Sequence, residues 1–257
     1  MKTFLQTILT SFLVYLLIGC GQTNTDNKAA ETPVDTLVSV PDTGFTGIRQ
    51  YYSKEKLVKE VTFDNGIREG LMKTFYSDGR LRQTFMYRNG MREDTAKWYY
   101  TDGFVFRETL YKNDTMHGEQ TQFYTTGKVK AKMSYIEGAR TPELLEYAAN
   151  GKLISSYPEL ITNVKDEYST TGLYKINLEL SQKTTKVNFY RGEFSNGVFD
   201  TLQLEKIPIR AGMGYLELKK SDKTNNGTVG VIASFITAYG NRKFIYKSIE
   251  LPYRDLD

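Results

Sequence analysis

The chain has very little of several residue types that build catalytic and metal sites. Its 257 residues include one Cys, one His and one Trp. A single Cys excludes a disulfide framework, and one Cys with one His excludes Cys-rich zinc sites. Charge of one sign is not in excess either, because 34 basic residues accompany 30 acidic ones and the net charge is +4. So small a surplus argues against a nucleic-acid partner.

Long apolar runs are also scarce, and the one that stands out lies at the amino terminus. A basic start is followed by an apolar stretch over residues 12–18 and then by Gly19 and Cys20. The stretch is shorter than the roughly 18 residues of a membrane-spanning helix, and its pattern is that of an export signal. Residues 1–19 are therefore predicted to be a signal peptide.

The residues just before the cysteine resemble a known processing signal. Leu17-Ile18-Gly19-Cys20 resembles the lipobox of bacterial lipoproteins. The resemblance implies that Cys20 becomes the first residue and carries a diacylglyceryl group and an acyl chain such as palmitate, enough for stable anchoring. Glycine rather than aspartate follows the cysteine, at Gly21, and this resembles the pattern of lipoproteins sorted to the outer membrane. The expected location is therefore the bacterial cell envelope, at the outer membrane. An ordinary signal peptide with a chance cysteine is the alternative.

Residues 20–42 are rich in Thr, Asn, Asp, Ala and Glu and have almost no aromatic side chains. Such a segment buries too little apolar surface to offset the entropy of ordering it. It is therefore predicted to be a flexible tether between the lipid and the folded part of the chain.

Aromatic residues, in contrast, are abundant, with 19 Tyr and 14 Phe, and they favour strands. Tyrosines recur every 24 residues at Tyr52, Tyr76, Tyr100 and Tyr124, and each follows another aromatic residue. Every unit contains two turn signals, such as Ser-Asp-Gly and Asn-Gly, separated by runs of strand length. Residues 43–158 are therefore predicted to form one β-hairpin per repeat, with a fading fifth copy at Tyr147 to Leu153.

The repeat resembles the MORN type, and most closely its bacterial antitoxin-like variant. Phe75-Tyr76-Ser77-Asp78-Gly79-Arg80-Leu81 is the clearest copy. The resemblance implies an antiparallel hairpin array, but an antitoxin role does not fit an exported chain. Asp94 and Pro142 replace the linking Gly70 and Gly118, so the later units are expected to be bent or shortened.

After Pro158 the period stops while alternation of apolar and polar residues persists. Residues 159–257 are predicted to form a small β-sandwich-like domain, with strands near 174–180, 187–189, 214–218, 229–239 and 244–251. The expected fold is thus all-β, a hairpin meander followed by a sandwich. Because an open meander leaves its last strand unpaired, the carboxy-terminal domain is expected to dock there.

The sequence offers few candidates for catalytic or metal-binding residues. His117 occupies the same position of the 24-residue repeat as Glu69 and Glu93, and it is interpreted as an exposed loop residue. The recurring Asp64, Asp78, Asp102 and Asp114 are interpreted as turn caps rather than calcium ligands. No catalytic residue, metal or cofactor is predicted, and the chain is not expected to be an enzyme.

The paired aromatic residues are the strongest remaining candidates for a binding surface. Tyr52, Tyr76, Trp98, Tyr100 and Tyr124 are the candidate binding residues, as an exposed ladder that stacks on sugars or peptide side chains. Core packing of both aromatic columns is the alternative. The expected function is a membrane-anchored binding or scaffolding module with an envelope protein or glycan as partner. A hydrolase with carboxylates from the carboxy-terminal domain and an array that contacts lipid headgroups are the other two hypotheses.

Overall fold

The structure is a computed structural model that describes residues 44–257. The predicted signal peptide, the lipidation residue Cys20 and the tether lie outside the described residues. The first nine strands are β1 Gly47–Ser53, β2 Lys56–Asp64, β3 Ile67–Phe75, β4 Leu81–Arg88, β5 Met91–Tyr99, β6 Val105–Lys112, β7 Thr115–Phe123, β8 Val129–Ile136 and β9 Ala139–Glu146. They form one antiparallel sheet in sequence order, which confirms the predicted hairpin meander.

Local backbone preferences explain why the chain reverses where it does. Asn89 and Gly90 both have positive φ, +50° and +82°, between β4 and β5. Asn and Gly tolerate this region, and two such residues match the right-handed twist of the strands they connect. Beyond the last full hairpin, the fifth copy is reduced to a turn and a single bridge between Tyr147 and Leu153.

A β-bulge recurs in each repeat at the position of the linking residues Gly70, Asp94, Gly118 and Pro142. Between β2 and β3 the pairing jumps from Val61 with Met72 to Phe63 with Arg68, so β3 has two extra residues around Gly70. The same jump occurs around Asp94, Gly118 and Pro142. Asp94 adopts a φ of +60° where Gly118 has +103°. The predicted shortening is therefore wrong at Asp94, where β5 keeps nine residues, while at Pro142 the strand β9 has eight.

The two faces of this sheet differ in character. We call the inner face the one that carries a cross-strand row of Gln83, Trp98, Arg107, Gln122, Ala131 and Glu146. Most of its large apolar side chains are buried, including Phe85 and Met133. The outer face carries exposed ion pairs such as Lys97 with Glu108, at 3.0 Å. This alternation follows from the two-residue period of a strand.

Two further sheets follow, each with four strands in the order β10-β11-β15-β14 or β13-β12-β16-β17. Side chains from both meet in one buried core that includes Ile176, Phe189 and Val231. This arrangement confirms the sandwich-like fold. The elements are β10 Leu160–Glu167, α1 Tyr168–Thr171, β11 Leu173–Leu180, β12 Thr185–Arg191, β13 Glu205–Ile207, β14 Ile209–Arg210, β15 Met213–Lys219, β16 Thr228–Ile236 and β17 Arg242–Glu250.

Three of these strands were missing from the sequence prediction. In β10 only Leu160 is buried, so its sequence lacks the apolar alternation that marks a strand. The strands β13 and β14 have three and two residues, too few for any pattern to emerge. Their pairing depends on neighbours that lie elsewhere in the sequence.

The free edge of β9 is covered, as the sequence analysis expected. The amide of Ile154 donates to the Glu146 carbonyl oxygen at 2.8 Å, and the amide of Phe199 donates to the Arg140 carbonyl oxygen at 2.8 Å. Phe199 follows β12, so the carboxy-terminal part of the chain contributes directly to this edge. Docking on the terminal hairpin is therefore confirmed.

Candidate binding surface and junction pocket

The predicted tyrosines do not form one exposed ladder. The Tyr76 hydroxyl donates to the Tyr99 carbonyl oxygen at 2.6 Å, and the Tyr124 hydroxyl donates to the Tyr147 carbonyl oxygen at 2.7 Å. Tyr100 repeats this contact, and all three side chains are half-buried. Tyr52 differs, because 59% of it is exposed. Three of the four tyrosines thus connect successive repeats.

Trp98 is in the core of the array rather than beside an exposed ladder. Only 6% of the residue is accessible, and its ring meets that of Phe85 edge-on at a centroid distance of 5.4 Å. The expectation of an exposed Trp98 is therefore wrong. Its strand position faces inward, and a large ring at such a position gains more from burial than from exposure.

Arginines cover the aromatic side chains of the inner face. The Arg107 guanidinium carbon lies 3.9 Å from the centroid of the Trp98 ring, and Arg68 lies 5.5 Å from that of Tyr87. Neither arginine forms a salt bridge within residues 44–257. Burial lowers the pKa of Arg107, and its buried Nε has no hydrogen-bond partner. The inner face therefore has positive charge that no carboxylate of the described chain neutralises.

His117 is not in a loop but on β7, where it is half-buried. The side chains at this position of the repeat have a structural role. Glu69 accepts a hydrogen bond from the amide of Asn89 at 2.7 Å, and Glu93 accepts one from the amide of Asn113 at 2.8 Å. His117 Nδ1 faces the amide of Glu137 at 3.5 Å in the same manner. The side chain at this position thus supports the turn of the next repeat.

Two of the four recurring aspartates, Asp78 and Asp102, cap their own turns as the sequence analysis expected. Asp78 accepts the Arg80 amide at 3.0 Å, and Asp102 accepts the Phe104 amide at 3.2 Å. The other two do not, because Asp64 accepts the Thr46 hydroxyl at 3.0 Å and Asp114 accepts the Arg92 amide at 2.8 Å, each about one repeat away in sequence. Across residues 44–257, no group of three or more His, Cys, Asp or Glu side chains could hold a metal ion. Within the same residues, no helix is both long and apolar enough to cross a membrane.

A buried carboxylate lies where the array meets the sandwich. Glu146 ends β9 and is fully buried. Its Oε1 accepts hydrogen bonds from Thr237 Oγ1 at 2.8 Å and from Asn241 Nδ2 at 2.7 Å, whereas its Oε2 has no partner. Sequence reasoning missed Glu146, although the repeat contained the signal: it stands 24 residues after Gln122 and 48 after Trp98, at an inward position.

Beside Glu146 opens a pocket of about 270 Å³, which we call the junction pocket. Its wall consists of Ile154, Ser156–Pro158, Gln182–Thr185 and Phe235–Tyr239. The Tyr157 hydroxyl and Thr184 Oγ1 are buried there without a well-directed hydrogen bond. Burial, together with the neighbouring Glu146 carboxylate, raises the pKa of Tyr157.

These features define a β-hairpin repeat protein with a sandwich joined to its last hairpin. A family model described as the MORN repeat variant matches residues 68–89 and 116–137, which contain β4 and β8. The array is therefore built from MORN-type repeats. Among curated proteins, none matches the chain. Repeats of this type indicate a binding or scaffolding module.

Proposed function

We propose that the chain is a lipid-anchored binding or scaffolding module of the bacterial cell envelope, and that its partner binds the inner face of the repeat array. The observation that carries the proposal is Arg107, which lies over the Trp98 ring, forms no salt bridge with a described residue and has a buried Nε without a hydrogen-bond partner. An unpaired guanidinium in a partly buried site is costly unless an acceptor reaches it. The partner is therefore a protein or glycan that presents carboxylate groups.

The geometry of the arginines suits such a partner. A guanidinium that lies flat on an aromatic ring keeps its in-plane N–H groups directed away from that ring, where they can form paired hydrogen bonds with a carboxylate. Arg107, on β6, lies close enough to the Trp98 ring for such stacking, at 3.9 Å, and Arg68, on β3, lies 5.5 Å from the centroid of the Tyr87 ring. An extended acidic segment along the inner face would contact both.

Binding is favoured over hydrolysis because carboxylates of the sandwich already have partners. Asp255 accepts the Tyr168 hydroxyl at 2.6 Å, and Asp166 accepts the Tyr253 hydroxyl at 3.0 Å. Hydrogen bonds from Lys165 and Lys175 lower the pKa of Glu167 to about 2. A general acid needs a raised pKa instead, so nothing about these groups supports acid catalysis.

The anchoring part of the proposal is tested at Cys20. The Cys20→Ala variant should leave the membrane fraction, because Cys20 alone carries the anchor, the diacylglyceryl group on its thiol and the acyl chain on its amino group. Fractionation with mass spectrometry of the amino-terminal peptide is the measurement, and Cys20 without lipid in membrane-bound protein would contradict the proposal. A substitution in the tether, Ser39→Ala, is the control for export itself.

The binding part is tested by capture from envelope extracts on the purified chain. We expect the double variant Arg68→Gln and Arg107→Gln to lose the captured acidic partner, while Lys97→Gln on the outer face retains it. Capture should also weaken as salt concentration increases, since screening acts on exposed charge. Equal capture by the inner-face and outer-face variants would show that the arginines do not contact the partner.

A further inference from the structure

We propose that the outer edge of β10 pairs with the same edge of a second copy of the chain, antiparallel and centred on Val164. We call this surface the β10 edge, which consists of β10 and of the Lys247 side chain that reaches it from β17. It is a different surface from the inner face, and the proposal holds or fails independently of the acidic partner proposed there. The proposal rests on unpaired backbone groups, on an exposed valine and on two complementary charges.

The backbone groups of β10 alternate between its paired side and its outer side. The Glu159 carbonyl oxygen accepts the Ser181 amide at 2.9 Å, directly after the end of β11. The next carbonyl oxygen, that of Leu160, instead accepts the Lys247 ammonium of β17 at 3.3 Å. Even-numbered residues of β10 therefore direct their amides and carbonyls away from β11, since these groups alternate along a strand.

The outer side of β10 can therefore pair with another strand. β10 is the outermost strand of its sheet, and it pairs with β11 alone over eight residues without a register shift. Thr162, Val164 and Asp166 direct their amides and carbonyls to this side, where no other described strand pairs with β10. An edge with such a row of unpaired groups is a template for a second strand.

Val164 shows that the sandwich is open at this edge. It lies opposite Ile176, which is fully buried, so both side chains are on the core face of the sheet. Nevertheless 48% of Val164 is exposed, more than the 38% of Ile161, which is on the opposite face of β10. A strand beside β10 would cover Val164, because facing side chains of paired strands are in contact.

Lys247 is a lysine at a core-facing position of β17. It lies opposite Val231, which is fully buried. Its ammonium donates to the Leu160 carbonyl oxygen and to Thr162 Oγ1, at 3.3 and 3.1 Å, and it forms no salt bridge within residues 44–257. An ammonium has three donors, so one is left for a carboxylate beside Thr162.

Asp166 is a matching carboxylate, but it is too distant within one chain. Its oxygens accept the Tyr168 amide at 2.9 Å and the Tyr253 hydroxyl at 3.0 Å, and no lysine or arginine of residues 44–257 forms a salt bridge with it. Asp166 stands four residues beyond Thr162, roughly 13 Å along the strand. Lys247 therefore cannot pair with Asp166 of its own chain while it is bound at Thr162.

A two-fold axis at Val164 brings the two charges together. With two β10 strands antiparallel about this axis, Val164 faces Val164 of the second copy, and Thr162 faces Asp166 of the second copy. Directly opposite residues have Cβ atoms about 5 Å apart, so the Asp166 carboxylate reaches the Lys247 ammonium that is bound at Thr162. The axis repeats this contact, and the interface contains two ion pairs and about six backbone hydrogen bonds.

This complementarity favours a second copy over another strand. An added strand must place a carboxylate opposite Thr162 and an apolar side chain two residues away, opposite Val164. In the antiparallel direction β10 has this spacing itself, in Val164-Lys165-Asp166. A strand without the carboxylate would cover the Lys247 ammonium and leave it without a counter-charge, which is unfavourable.

The register is tested by cysteine crosslinking of the full chain in detergent micelles. Val164→Cys should form a disulfide-linked dimer in oxidised glutathione, because two residues paired at the axis have Cα atoms about 5.5 Å apart. Ile161→Cys is the matched control, since the two copies of this position are about 20 Å apart in the proposed register. Both variants keep Cys20, so the difference between them reports on β10. No crosslinking of Val164→Cys, or equal crosslinking of the two variants, would overturn the proposal.

The ion pairs are tested by charge exchange, with sedimentation velocity of the full chain as the measurement. Lys247→Asp and Asp166→Lys should each weaken the dimer at least about tenfold, because each places like charges opposite one another. An equimolar mixture of the two variants should form the dimer again, because both contacts then join unlike charges. This recovery would also show that both variants fold. Lys206→Asp, at an exposed position of β13, is the control and should dimerise like the parent.

The parent chain should show a monomer–dimer equilibrium in which the dimer fraction increases with concentration. A parent chain that stays monomeric throughout the concentration series overturns the proposal, and so does a mixture of the two charge variants that stays monomeric. A dimer that tolerates both charge variants overturns it as well, because such a dimer forms through another surface.

Discussion

The hydroxyl of Tyr100 donates a hydrogen bond of 3.0 Å to the backbone carbonyl oxygen of Phe123, one repeat further along the chain. Tyr76 and Tyr124 make the same contact with their own following repeats. A side chain of one unit thus satisfies a backbone acceptor of the next. This contact joins successive units in addition to the hydrogen bonds between their strands.

The first prediction concerns this contact. Tyr100→Phe should lower the free energy of unfolding by about 1 kcal/mol, because it removes this hydrogen bond between half-buried residues. Tyr52→Phe is the control, since the exposed Tyr52 hydroxyl reaches only the Gln50 side chain. Urea unfolding of both variants is the measurement, and similar values for the two would argue against the linking role.

The second prediction concerns the turns of the array. Gly79 has a φ of +88°, so Gly79→Val forces a branched side chain into a conformation that it rarely adopts. We expect a loss of about 1–3 kcal/mol. Arg80→Ala should melt close to the temperature of the parent chain, because the Arg80 side chain pairs only with Asp78 at an exposed site. Thermal melting distinguishes the variants, and matching melting temperatures would mean that the turn does not constrain the hairpin.

The third prediction concerns the buried carboxylate at the junction. Glu146→Ala should destabilise the chain by about 3–5 kcal/mol, because Thr237 and Asn241 lose their common acceptor and a cavity forms. Its neighbour Leu145, 46% exposed on the outer face, provides the control Leu145→Ala. Chemical denaturation monitors both. If Glu146→Ala is no worse than Leu145→Ala, the carboxylate does not hold the array and the sandwich together.

The fourth prediction concerns the edge of β9. A chain truncated after Tyr157 lacks Phe199 and therefore exposes the Arg140 carbonyl oxygen that Phe199 covers. Unpaired edges associate with other strands, so this fragment should form dimers or aggregates at concentrations where the full chain is monodisperse. Light scattering checks the size. A monomeric fragment that melts at the temperature of the longer chain would mean that the two parts are independent.

Local features of the sequence determined most of the array. The 24-residue period located the hairpins, and Asn-Gly pairs such as Asn89-Gly90 identified their turns, because positive φ is a property of those residues and of no distant partner. The bulge at Asp94 could not be predicted in the same way. It persists without glycine because the neighbouring strands impose their register on the chain.

The tertiary structure alone decided which residues are accessible and which meet. Periodicity placed Trp98 on a strand but could not predict that its side chain is buried. Its burial depends on Phe85 and Arg107, which lie on the same face of the neighbouring strands. Likewise, Glu146 meets Thr237 and Asn241 from more than 90 residues away. Contacts between such distant residues form only when sheets pack, and the junction pocket arises from that packing.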